Sequence, residues 1–377
     1  MQRSDEEEKK ILTVLSMNSR ASLKFIGNQI GLSKHPTFRK VKKIEAKYKI
    51  KHLAEIDTKQ LGFFRFLILV RFTGKAPSSS DIEAAAKKEP RIQLCLALNG
   101  GEFNLLFYVL AENDEIISKI RLNLIRDPKL IEYPAEWYVS PFDETYNFVP
   151  LRDEFIDVLK ERIMKRSEIS KAQELAGKRS QILMREFAVL KEINKDANIE
   201  LSAIDKKYGF DKGRSQYSYY KLLEEGLLKR TTISMQGLPI KYVGLFIGKI
   251  INYKEFEKKR PQLLHYIIDD ASTPNNKFAL TGDITTPFSA MLFMPSIRNG
   301  DLEEMGEKLR ELPGIEFTTL IITKIILGSF CYRNFDNAYS LQKEVLISRY
   351  GEKRSKKTEY SEKHLEKKEF IIELPKA

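Results

Sequence analysis

Apolar residues recur at spacings of three and four over three short segments that open the chain, then cluster in strand-sized runs such as LGFFRFLILVRF. The spacing marks helices buried on one face, and the short apolar runs mark buried strands. Residues 5–17 place Ile11, Leu12 and Leu15 together, with Glu6, Glu7 and Glu8 where the helix dipole favours acids. Asn18-Ser19-Arg20 breaks that helix, and 23–30 forms a second on Leu23, Ile26 and Ile30. Gly31 permits a tight turn. Residues 32–50 then read as a third helix and the start of a wing. Ser33 is its expected N-cap, and Phe38, Val41, Ile44 and Tyr48 form its expected buried stripe. Beyond the wing (52–60), the pattern predicts a strand (61–72), a helix (81–88), two strands (91–98 and 103–111), a helix (113–125) and a strand (130–139). Asn99-Gly100 between apolar runs is a hairpin signal. The order β-α-β-β-α-β is ferredoxin-like.

The same plan returns in the second half. Residues 180–193, with Ile182, Leu183, Phe187 and Leu190 inward, precede a helix over 200–208 that ends at Gly209. Phe210-Asp211 then falls where Leu32-Ser33 fell, with Asp211 as the alternative N-cap; Leu222 matches Ile44 and Gly226 matches Tyr48, all at one offset of 178. A strand (241–251), a helix (253–268), a hairpin around Gly282-Asp283 and 287–294, a helix (302–309) and a strand (315–327) complete the repeat. Each half ends in a similar signature, Phe142-Asp143-x-x-Tyr146 and Phe335-Asp336-x-x-Tyr339, preceded by Tyr138 and Tyr332 respectively. The predicted class is α+β: two winged helix-turn-helix units, each followed by a ferredoxin-like βαββαβ unit. The expected boundaries are 1–60 and 61–150, a helical linker at 151–178, then 179–240 and 241–340, and a charged tail at 341–377.

Composition narrows the partners. A formal charge of +12 favours a polyanion. From Lys34 to Lys51 there are eight lysines and arginines against one acid, Glu45. A helix with one apolar face and one cationic face suits a phosphate-lined groove, although a solvated lysine-rich surface has the same composition. No apolar run is long enough to predict a membrane span, and the polar N-terminus is unlike a signal peptide. Cys95 and Cys331 have no partner at zinc spacing, and a reduced cytoplasmic setting is expected. The four histidines (His35, His52, His265 and His364) are dispersed, so no metal and no cofactor is predicted.

The run KKILTVLSMNSRASLKFIGNQIGLS resembles the start of the Lrp/AsnC (feast/famine) transcription regulators, and the duplication implies a tandem member. Lys40 stands where that family usually has arginine, Pro36 enters the first turn of the third helix, and Tyr48 replaces a glycine. The resemblance implies a transcription regulator, not an enzyme, acting on double-stranded DNA. Its expected contacts are Ser33, Lys34, His35, Arg39, Lys40, Lys42 and Lys43, with Arg39 as base reader. At the second helix the corresponding set is Lys212, Arg214, Tyr217 and Lys221, a face that suits either DNA or a protein partner. An amino-acid-like effector is implied near Gly101 with Asn104, or near Gly282 with Asp283; the latter pair also reads as a plain turn. The sheet units are expected to pair the halves within one chain or to pair whole chains. Two alternatives share the pattern: the sirohaem decarboxylases, which have this two-domain plan, and a nucleic-acid-binding assembly protein.

Overall fold

In the computed structural model, the described residues are 2–142, 144–145, 149–165, 173–237, 241–255, 258, 277–280, 290–296 and 299–329. The architecture is mixed α+β around one curled antiparallel sheet. The first half begins with helices α1 (Gln2–Met17), α2 (Leu23–Ile30) and α3 (Lys34–Tyr48) and strand β1 (Ile50–Ile56). Next come β2 (Phe64–Phe72), α4 (Ser79–Lys87), β3 (Ile92–Asn99), β4 (Leu105–Ala111), α5 (Asp114–Ile125), β5 (Ala135–Phe142) and the short β6 (Glu144–Thr145). Helices α6 (Asp153–Lys165) and α7 (Gln173–Lys195) lead into the second half. There α8 (Leu201–Tyr208), α9 (Arg214–Glu224), β7 (Leu228–Met235), β8 (Tyr242–Ile250), β9 (Lys277–Leu280), β10 (Ala290–Ser296), α10 (Asn299–Arg310) and β11 (Ile315–Leu327) follow. Most of the helix expected over 253–268, the Gly282-Asp283 turn, the second signature and the charged tail lie outside the described residues.

The halves interlock. The nine-stranded sheet runs β5-β2-β4-β3-β11-β8-β10-β9-β6. Strand β3, the edge of the first βαββαβ unit, pairs with β11 of the second half, with Leu98 opposite Ile322. At the other end β6, which follows β5 directly in the chain, pairs with β9. Two equivalent joints therefore curl the sheet back towards itself and cover edges that would otherwise be exposed.

The strands after α3 and α9 also find each other. β1 and β7 form a separate two-stranded antiparallel ribbon, from Ile50 opposite Met235 to Ile56 opposite Leu228. Each crosses into the other half's territory. Ile233 and Met235 pack among Ile11, Val14, Ile26, Val41 and Ile44, whereas Ala54 and Ile56 share a core with Ile204, Tyr219 and Leu222. Arg20 fastens the exchange: its Nη1 donates to the carbonyls of Ala197 and Ile199, both at 2.8 Å, and its guanidinium lies over the Tyr219 ring.

On the sheet, successive side chains point to opposite faces, and both faces of β2 are covered. Phe66, Ile68 and Val70 meet α4 and α5 through Ile82, Ala86, Ile117 and Ile120. Leu67 and Leu69 face a second core with Leu96, Leu106, Leu245 and Leu320. The segment expected as a charged linker enters this core through Phe155, Leu159 and Ile163 of α6, with Phe155 edge-on to Phe63 at 5.0 Å. Arg152 pins the start of α6: its N–H donates to Gln93 and its guanidinium to the Ile92 carbonyl.

Candidate nucleic-acid interface

Helix α3 is positioned from behind by small and β-branched residues. Gly31, at φ 69°, ends α2. A Cβ on Gly27 would stand 2.4 Å from the Leu32 carbonyl oxygen and 2.9 Å from Thr37 Oγ1, so glycine allows the turn to approach α2. Thr37 is fully buried there, donating its hydroxyl to the Ser33 carbonyl at 2.8 Å. The buried stripe is accordingly Thr37, Val41 and Ile44, with Tyr48 half-buried; Phe38, expected inside, is 46 % exposed. Ser33 has extended N-cap backbone, but its hydroxyl makes no capping bond. The helix ends at Lys49, a non-glycine residue held at φ 47°.

Long-range pairs divide the cations of α3. Lys40 bonds Glu7, while Lys47 (2.6 Å) and the Tyr48 hydroxyl bond Glu8, so the acids of α1 neutralise the flank of α3 that faces them. Burial pushes the Glu8 carboxyl up, but the bonds from Lys47 and Tyr48 prevail and hold it below its ordinary pKa. Lys42 bonds Glu45 at 2.7 Å, and His52 on β1 approaches the same carboxylate at 3.4 Å. His52 and then Lys42 hold Glu45 low against the opposing effect of burial. Lys34, His35, Arg39 and Lys43 are exposed and have no ion-pair partner among the described residues.

Helix α9 is built differently. Its N-cap is Gly213, at φ 83°, not Asp211, which is exposed. The capping carboxylate arrives from α8: buried Asp205 accepts the Gly213 N–H at 2.8 Å and the Ser215 N–H at 2.7 Å. At the offset of 178 Asp205 corresponds to Gly27 and Ser215 to Thr37. The two halves thus fasten equivalent helices by opposite means, close backbone approach in one and a buried carboxylate in the other. Lys221 turns inward to the fully buried Glu186 and also reaches Glu225 at 3.5 Å. Arg214 lies 3.7 Å from Asp211. Lys212 is exposed, and Tyr217 is 61 % exposed.

Gly101 lies in the turn between β3 and β4, where a Cβ would meet Leu320 of the second half at 2.3 Å. The Asn104 side chain accepts the Phe72 N–H at 2.7 Å, which commits its oxygen to holding the end of β2. Gly282 and Asp283 are outside the described residues. Sequence reasoning missed a polar cluster nearby: Arg71 bonds Glu102 (2.8 Å) and Glu136 (2.5 Å), and Glu136 accepts the Tyr138 hydroxyl. Alternation along β2 places Arg65 and Arg71 on the face of Leu67 and Leu69, the face that Tyr108 of β4 also occupies, where burial pushes the Tyr108 phenol up. The alternating strands carried this signal. Among the described residues no group of three or more His, Cys, Asp or Glu is arranged to hold a metal, and no helix is long and apolar enough to cross a membrane.

No protein-family model and no curated protein matches the chain. Solved structures do. The siroheme decarboxylase NirDL matches at a TM-score of 0.55 and 11 % identity over 91 % of this chain and 99 % of that one. Its co-complex with an iron-uroporphyrin III analogue matches at 0.53 and 13 % over the same shares. An AsnC family transcriptional regulator from Agrobacterium tumefaciens matches at 0.30 and 16 %, over 35 % of this chain and 87 % of that one. At these identities the NirDL likeness establishes a shared fold.

The expectation that the chain is not an enzyme is corrected by this result. The fold over 91 % of this chain is one that a decarboxylase also has. That expectation came from the resemblance of the opening residues to a family of regulators, and those residues carry no information about how the distant strands of the sheet assemble.

Proposed function

We propose that α1–α3 with β1 and α7–α9 with β7 are winged helix-turn-helix units, and that the chain binds double-stranded DNA with α3 in the major groove. The observation that carries this reading is the outward face of α3, where Lys34, His35 and Arg39 are exposed without an ion-pair partner among the described residues and Lys43 feels Glu8 only at a distance, after α1 has taken Lys40 and Lys47. Arg39 lies opposite the buried stripe and suits a guanine edge; Lys34, Lys42 and Lys43 suit phosphates. The second unit contributes more weakly, through Lys212, Arg214 and Tyr217, because Lys221 is held by Glu186. The target is therefore asymmetric, with one strongly and one weakly read half-site. Binding to library-selected and scrambled DNA across a salt series tests this. The expected result is selective binding with a salt slope corresponding to about four to six phosphates. Equal, weak binding to both DNAs would overturn it.

A second reading has its own observation. The likeness to NirDL over 91 % of this chain, with Arg65 and Arg71 on one face of β2, favours a carboxylate-bearing tetrapyrrole as substrate, since guanidinium donors suit carboxylates. Siroheme added to the full chain should then give a shifted Soret band and release of carbon dioxide. An unchanged spectrum at excess protein would remove this reading.

A further inference from the structure

Phe38 is the exposed aromatic residue on the otherwise cationic outer face of α3. It is held outward. Thr37 occupies the buried position beside it and is tied to the Ser33 carbonyl, so rotating the helix to bury Phe38 would expel Thr37 and break that bond. At 3.6 residues per turn, Lys34 and Lys42 stand one turn to either side of Phe38, and Arg39 is adjacent. Cores of protein–protein interfaces are depleted in lysine, which argues against a protein surface covering this ring. Phosphates on both sides of a groove would instead satisfy the lysines and carry the ring to the groove floor. The distinctive apolar group on base edges there is the C5-methyl of thymine.

We propose that Phe38 is a specificity-determining residue that packs on a thymine methyl beside the base read by Arg39. This inference rests on the DNA-binding reading above. The ring packs on a methyl group that uracil lacks, so discrimination arises from removing that methyl from water, roughly a three- to fivefold effect in affinity.

The test uses the full chain and a duplex obtained by selection from a random library. Each thymine is replaced singly by deoxyuridine, and dissociation constants are measured for the wild type, Phe38→Ala and Arg39→Ala. The expected result is one thymine whose replacement weakens wild-type binding by about three- to fivefold. The penalty should vanish in Phe38→Ala and persist in Arg39→Ala. Phe38 is exposed, so the variant should keep its fold, which circular dichroism checks. A selected site without thymine, no sensitive position in the wild type, or an undiminished penalty in Phe38→Ala would each overturn the inference while leaving DNA binding intact. Failure to select any sequence would overturn the DNA reading itself.

Discussion

Arg39 and Lys42 lie three residues apart on α3 but differ in their surroundings: Arg39 has no ion-pair partner among the described residues, and Lys42 shares Glu45 with His52. Replacing Arg39 with alanine should cost about 1–3 kcal/mol on the preferred sequence and little on others, flattening selectivity. Lys42→Ala should weaken all sequences alike and lower the salt slope by about one phosphate. Parallel titrations on selected and scrambled duplexes decide the matter; equal losses from both variants would contradict the division. Asp205 invites a stability measurement. Burial opposes its charge, yet the bonds from Ser215 and Gly213 prevail and hold its pKa below the usual aspartate value. A carboxyl depressed on folding stabilises above its unfolded pKa and loses that contribution as pH falls through the folded value. Asp205→Ala should therefore lose about 1–2 kcal/mol at neutral pH, with the gap to wild type narrowing below about pH 4. Urea melts at pH 7 and pH 3 would expose a constant gap, the contrary outcome.

At the scale of elements, the β1–β7 ribbon is the joint on which both helical units depend. Its strands were legible as wings because each follows the third helix of its half at the same offset. Their mutual pairing was not legible, since an isolated wing strand offers its edge to any partner. Arg20 was read only as part of a helix break, but its two bonds to the Ala197 and Ile199 carbonyls bridge the halves. Arg20→Ala should destabilise the chain by about 2–4 kcal/mol, because two carbonyls lose a charged donor. The midpoint of chemical unfolding measures this. A loss under about half a kcal/mol would mean that water replaces the guanidinium without penalty.

At the scale of the molecule, the fold behaves as a dimer written in one chain. The ribbon, the β3–β11 joint and the β6–β9 joint all connect the first half to the second. If the chain is divided within residues 166–172 and the fragments are co-expressed, they should co-purify in equal amounts at the mass of one full chain. Independent elution of two stable fragments would show that the crossings are dispensable.

Local periodicity and composition by themselves determined the described helices, most described strands and the cationic character of α3, because each follows from residues within a few turns of one another, and a constant offset of 178 marked the return of that pattern. Tertiary structure decided which charges on that helix remain available, since Glu7 and Glu8 that occupy Lys40 and Lys47 come from another element. It also decided that Thr37 is buried and Phe38 exposed. Both positions lie near the apolar stripe, and the space left by the missing side chain of Gly27 selects between them. Strand exchange and the inner sheet face were beyond reach for the same reason. An edge strand satisfies its backbone equally well against several partners, and only the packed chain chooses among them.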